Sequence, residues 1–112
     1  MMYNYQSKLI RVIDGDTIDA MVDLGFDIWI KVRIRLYGIN TPETRTKDLE
    51  EKKAGLKAKQ RLIDILEEAE GKFSLVSHGV DKYGRCLGTI VVETVSINNL
   101  LVQEGLAKVY VL

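Results

Sequence analysis

The stretch KLIRVIDGDTIDAMVDLGFDIWIKVRIRLYG, residues 8–38, decides the fold. It breaks at Asp14-Gly15 and again between Asp23 and Asp27. Asp-Gly between two apolar runs is a strong hairpin signal. Three strands follow, near 7–13, 17–23 and 28–37. The third alternates cleanly. Ile28, Ile30, Val32, Ile34 and Leu36 share one face, and Lys31, Arg33, Arg35 and Tyr37 share the other. Neighbouring strands are expected to bury the first face and leave the second toward solvent or a ligand.

Outward from this segment the period changes. TRTKDLEEKKAG, residues 44–55, is polar and charged, and predicts a mobile surface loop running into a helix. From Gly55 to Ala69 the apolar positions Ala58, Leu62, Ile65, Leu66 and Ala69 recur at helical spacing, with Gly71 as a stop. KFSLVSHGV (72–80) reads as a fourth strand, DKYG (81–84) as a turn and RCLGTIVVET (85–94) as a fifth strand. Ser96 is placed to cap a short helix, INNLLVQEG, ended by Gly105, and AKVYVL (107–112) is a last extended piece. Three strands, a helix, two strands and a helix predict a β-rich α+β chain. The expected fold is a five-stranded antiparallel OB-fold barrel, with one helix between strands three and four and a short C-terminal helix. An open antiparallel sheet under one helical layer is the alternative.

The 112 residues fit a single domain, 1–112, with no repeat, linker or low-complexity segment. Apolar residues make up 46% and charged residues 29%, the balance of a soluble globular chain. Sixteen basic residues against sixteen acidic ones give zero net charge, so any binding of a polyanion must come from local clustering. The single cysteine, Cys86, allows no intrachain disulfide and reads as a small buried apolar residue. The single histidine, His78, cannot build a histidine metal site and reads as a surface residue at a strand end. The start MMYNYQSKLIRV has no apolar signal-peptide core, and no apolar run approaches ~18 residues. A cytoplasmic protein without a membrane span is the expectation, with a secreted, processed form left open.

Chemistry-bearing residues fall in three places. Asp14, Asp16 and Asp19 cluster at the first turn, where they serve turn geometry or offer oxygen ligands to a hard cation. INTPETR, residues 39–45, ends the third strand and holds the only proline. Asn40 and Thr41 add oxygens there, Pro42 stiffens the backbone, and Glu43 can accept a proton from water or hold waters around a cation. Arg35 lies on the polar face with Arg33, either in a solvated charged face or as a phosphate ligand. Arg85 follows the DKYG turn with Lys82 and Tyr83 before it. A guanidinium fork matches phosphate oxygens two at a time, and tyrosine can stack a base or pack on the rim.

VIDGDT, RIRLYGINTPET, DKYGR and LLVQEGLAKV stand in an order and at spacings that resemble the staphylococcal nuclease (thermonuclease) family over roughly residues 8–110. The resemblance implies an OB barrel that cleaves phosphodiesters in DNA and RNA and leaves 3′-phosphate ends. It implies Asp16 as a metal-binding aspartate and Thr41 as the residue whose carbonyl faces Ca²⁺. It implies Glu43 as activator of the attacking water, Arg35 and Arg85 as the phosphate-gripping arginines, and Lys82 and Tyr83 as substrate contacts. Tyr110 stands near the family's base-contacting tyrosines at a shorter spacing. Asn40 departs from the pattern, because the family carries an aspartate that binds calcium there. An amide keeps an oxygen but loses a charge, which predicts weaker Ca²⁺ binding or another divalent ion such as Mg²⁺ or Mn²⁺. The charged loop after Glu43 also differs, and the sequence stops at Leu112, short of the family's final helix. A monomeric metal-dependent endonuclease with no obligate protein partner is the leading expectation. A non-catalytic OB-fold module that binds nucleic acid or protein is the alternative.

Overall fold

The structure is a computed structural model, and it describes residues 3–111. Met1, Met2 and Leu112, at the ends of the terminal stretches read above, lie outside these residues. The elements run β1 (Tyr3–Asp14), β2 (Thr17–Asp23), β3 (Trp29–Leu36), β4 (Ile39–Asn40), α1 (Leu49–Glu68), β5 (Lys72–Val80), β6 (Cys86–Val92), β7 (Val95–Ser96), α2 (Ile97–Gln103) and β8 (Lys108–Val109).

The main sheet has the order β3-β2-β1-β5-β6-β7 and closes through β3 against β6. This is the expected OB-type barrel, with one difference: the closing pair is parallel, with Ile34, Leu36 and Arg35 opposite Cys86, Gly88 and Leu87. The reason is geometric. Strand direction cannot alternate all the way round a ring of five, so one pair must run the same way. β1 serves two neighbours, β2 and β5, and carries irregularities at Leu9/Arg11 and Val12/Asp14. Bulges of this kind bend a strand and increase its twist, which lets one long strand wrap the barrel.

The barrel interior is filled by Ile18, Ala20, Ile34, Leu36, Leu75 and Ile90, and α1 plugs it with Leu62, Ile65 and Leu66. Arg61 of α1 makes a two-pronged ion pair with Glu104 at the end of α2, 2.7 and 2.9 Å. Asn98 is buried at the joint of barrel and α2. Its Nδ2 donates to the carbonyls of Tyr37 (2.9 Å) and Gly88 (3.1 Å), and its Oδ1 accepts from the Ile90 amide (3.1 Å). One amide therefore ties α2 to both strands of the seam.

Four further expectations change. α1 begins at Leu49, not near Gly55, because Asp48 caps it: Asp48 Oδ1 accepts from the amides of Glu50 (3.0 Å) and Glu51 (3.2 Å). Its first turns lie in solvent, so they show no apolar face. Ile28 and Ile30 are 53% and 40% exposed, because Ile28 precedes β3 and the first half of β3 pairs with β2 alone, beyond the end of the barrel. The fifth strand stops at Val92, where Glu93 takes a left-handed turn (φ 57°) into β7. His78 is not at a free strand end. It lies half-buried within β5, stacked on Tyr37 (4.1 Å between ring centroids, planes 5° apart), with Nε2 2.9 Å from Thr89 Oγ1. Ser96 caps α2 as expected, accepting from the Asn99 amide at 3.3 Å. The last extended piece forms β8 against β4. Cys86 is half-buried against the core, and that burial pushes its thiol pKa up.

Candidate active site

Gly15 and Asp16 form the tight turn between β1 and β2, with Asp14 opposite Thr17. A Cβ on Gly15 would lie 2.8 Å from Ala58 Cβ and 3.0 Å from Thr41 Cγ2. Glycine is thus needed here for close approach, and the turn packs directly on α1 and on the segment after β4. That contact brings the Asp16 carboxylate beside Thr41. Asp16 is buried, and its Oδ2 accepts from the Thr41 amide at 3.1 Å while Oδ1 accepts from Thr17 Oγ1 at 3.1 Å.

Arg35 reaches the same point from the outer face of β3. Its Nη2 lies 3.5 Å from Asp16 Oδ2 and donates to Asn40 Oδ1 at 3.2 Å, while Nη1 donates to the Leu36 carbonyl at 2.9 Å. Asp16, Arg35, Asn40 and Thr41 are therefore one constellation, drawn from the first turn, the end of β3 and the short β4. Glu43 is exposed beside it, in a groove of about 390 Å³ that Asn40, Thr41, Glu51, Ala54 and Lys108 also line. The Glu43 loop is anchored by a hydrogen bond from Thr44 Oγ1 to Asp14 Oδ1, and the Glu43 amide faces Glu51 Oε1 at 3.5 Å.

Arg85 immediately precedes β6. The parallel register sets Leu87 opposite Arg35, so Arg85, two residues earlier, lies diagonally across from Arg35 on the same outer face. Asp81 holds it there, and sequence reasoning gave Asp81 no role. Its Oδ1 accepts from the amides of Tyr83 and Arg85, both 2.9 Å, and its Oδ2 accepts from Arg85 Nε at 2.8 Å. Burial pushes the Asp81 carboxyl upward, and the hydrogen bonds from the Arg85 amide, the Arg85 side chain and the Tyr83 amide outweigh it, for a net lowering. The signal was present in the sequence: Asp at the first position and Gly at the fourth mark a type I turn. Lys82 Nζ and the Arg85 guanidinium both lie near the Tyr83 ring, 5.2 and 5.4 Å from its centroid, so Lys82, Tyr83 and Arg85 form one cluster. Tyr110 is joined to the β4 end through its amide, which donates to the Gly38 carbonyl at 2.8 Å, and it is exposed.

Arg33, the other arginine on the polar face of β3, is removed from the constellation. It donates to both oxygens of Asp19 (2.9 and 3.2 Å), and Arg11 donates to the same carboxylate at 3.0 Å. Asp19 is 2% exposed. The Arg33 hydrogen bond leads in holding its carboxyl at about 2; burial opposes this and Arg11 assists.

The donor set around Asp16 is made of hard oxygens, the kind that Ca²⁺ and Mg²⁺ take. Thr41 Oγ1 is buried there without a hydrogen-bond partner. Oxygens of Asp16, Asn40 and Thr41 thus fit a divalent cation by type. Among the described residues no three acidic, histidine or cysteine side chains gather as a metal cluster.

Residues 33–112 match the family described as staphylococcal nuclease homologue. The chain is 31% identical over 116 residues to a micrococcal nuclease of Shigella flexneri, with 96% of this chain and 59% of that protein covered. It is 32% identical over 101 residues to a thermonuclease of Staphylococcus hyicus, with 90% and 57% covered. It is also 32% identical over 113 residues to endonuclease YhcR of Bacillus subtilis, with 95% of this chain and 9% of that protein covered. The chain thus spans less than two thirds of the length of these relatives.

Proposed function

Because this chain belongs to the staphylococcal nuclease family, we propose that it is a divalent-cation-dependent endonuclease that hydrolyses phosphodiester bonds in DNA and RNA. The observation that carries this reading is the convergence of Arg35, Asp16, Asn40 and Thr41, with Arg85 diagonal to Arg35 and Glu43 at the edge. Two guanidinium groups on one face offer paired donors to the oxygens of a bound phosphate, where negative charge grows during attack. Glu43, exposed and aimed by a braced loop, takes the proton of the attacking water. The new P–O bond forms from that water, the bond to the 5′-oxygen breaks as that oxygen takes a proton from solvent, and the products are a 3′-phosphate and a 5′-hydroxyl. Lys82 and Tyr83 contact the flanking nucleotide, and Tyr110 faces a base. Asp16, Asn40 and Thr41 hold the cation, Ca²⁺ or, given the uncharged Asn40, Mg²⁺ or Mn²⁺. A cation there supplies neutralisation of charge on the phosphoryl oxygens.

A second reading is favoured by one specific observation. Arg35 Nη2 bridges Asp16 and Asn40, and the pair carries only one negative charge. A guanidinium seated there suits a module that binds a phosphate backbone without cutting it. Digestion of single- and double-stranded DNA and of RNA, with Ca²⁺, Mg²⁺ or Mn²⁺ and with chelator, separates the two. Cleavage that needs the ion and falls in both Glu43→Gln and Arg85→Ala supports the nuclease. Binding without cleavage at every ion overturns it.

A further inference from the structure

Gly55 lies buried in α1, a helix in which glycine is the poorest choice after proline. Its backbone is ordinary helix, so no left-handed conformation demands it. The demand comes from the other side. A Cβ at this position would lie 2.6 Å from the Glu43 carbonyl oxygen, 2.7 Å from the Pro42 carbonyl oxygen and 2.8 Å from the Glu43 carbonyl carbon. These are backbone atoms and cannot swing aside as a flexible side chain can. One turn further along the same helix face, Ala58 touches the Gly15–Asp16 turn. The helix is thus a common surface against which the Asp16 turn and the Glu43 segment are both laid, and Gly55 is the point of closest approach.

We infer that Gly55 is a positioning residue: its missing side chain fixes how near the Pro42–Glu43 backbone sits to α1, and so where the Glu43 carboxylate stands relative to Arg35 and Asp16. Three other constraints leave the segment little freedom to adapt. Pro42 restricts its own φ, Thr44 is bonded to Asp14, and Asp48 fixes where α1 starts. A methyl at residue 55 must therefore displace the Glu43 backbone by about half an ångström, and misplacement on the scale of 1 Å costs ~100-fold in rate.

This inference rests on the nuclease reading for its kinetic test, and a second readout stands without it. In Gly55→Ala, kcat falls about tenfold while KM for an oligonucleotide stays within about twofold and the folded structure is kept. In the Glu43→Gln background the same substitution causes no further loss, because the two act through one group. An undiminished kcat, a change confined to KM, or the same tenfold loss in both backgrounds overturns the inference. Independently of activity, the amide resonances of Glu43 and Thr44 shift in Gly55→Ala while those of Lys82 and Arg85 hold. If the wild type cuts nothing, these resonances alone decide, and unmoved Glu43 and Thr44 signals refute the inference. Should Gly55→Ala not fold, Gly55→Ala/Pro42→Ala, whose loop can step back, is compared with Pro42→Ala by the same two measurements.

Discussion

Asp19→Asn tests the electrostatics of the outer barrel face. In the folded chain the Asp19 carboxyl is lowered from 3.8 to about 2, led by the hydrogen bond from Arg33. A change of that size corresponds to about 2.4 kcal/mol of preference for the charged form in the folded state. The side chains of Arg11 and Arg33 are 62% and 47% exposed, so solvent screens part of it; about 1–2 kcal/mol is the expected net contribution. The sign follows from the direction of the shift. A depressed carboxyl stabilises the fold fully above its unfolded value near 4, and the contribution fades as pH falls from about 4 toward 2. Urea unfolding of wild type and Asp19→Asn at pH 7, 5, 4, 3 and 2 checks this. The variant is less stable at pH 7, and the gap narrows by about 1–2 kcal/mol between pH 5 and pH 2. A gap that stays constant over this range, or an equally stable variant at pH 7, refutes the reasoning.

Asn98→Ala leaves the Ile90 amide and the Tyr37 carbonyl without their side-chain partner at the joint, while the Gly88 carbonyl keeps the Tyr37 amide at 2.8 Å; a loss of about 2–4 kcal/mol in urea unfolding is expected. Asn40→Asp adds a charge to the proposed cation ligands and is expected to raise Ca²⁺ affinity about tenfold or more by calorimetric titration; unchanged affinity would remove Asn40 from the proposed set. Asp81→Asn loosens Arg85 without deleting it, so turnover drops about tenfold, less than the ~10²–10³ expected for Arg85→Ala; equal losses in the two variants would mean that Asp81 does more than hold the arginine.

Local signals carried much of the fold into view. The Asp14-Gly15 turn, the Ser96 cap and the alternation of β3 from Val32 to Leu36 each depend on neighbours in sequence, and each stands where the residues placed it. What stayed hidden depends on partners far along the chain. Nothing in the run 28–36 says that its first half lies beyond the barrel, because burial there is decided by the length of β2 and the reach of β6. Arg33 and Arg35 look equivalent on one face until the register puts Asp19 opposite the first and opens the second to Asp16 and Asn40. Asn98 reads as an ordinary polar helix residue; only the seam reveals three backbone groups converging on one amide. The nearness of Asp16 to Thr41 likewise required the two close approaches to α1, and a glycine in a helix does not announce what it is making room for.

The parallel seam between β3 and β6 has a consequence for how the chain acquires its site. It joins residues about fifty positions apart through three residue pairs, Ile34 with Cys86, Arg35 with Leu87 and Leu36 with Gly88. The loop it closes contains all of α1 and β5. Contacts that close such long loops form late, because the entropy of the intervening chain must be overcome first. Arg35 and Arg85 sit on opposite sides of this same seam. During folding the two arginines meet only when the barrel shuts, so a chain with its hairpins and helix formed but its seam open has no paired guanidinium groups to offer a phosphate.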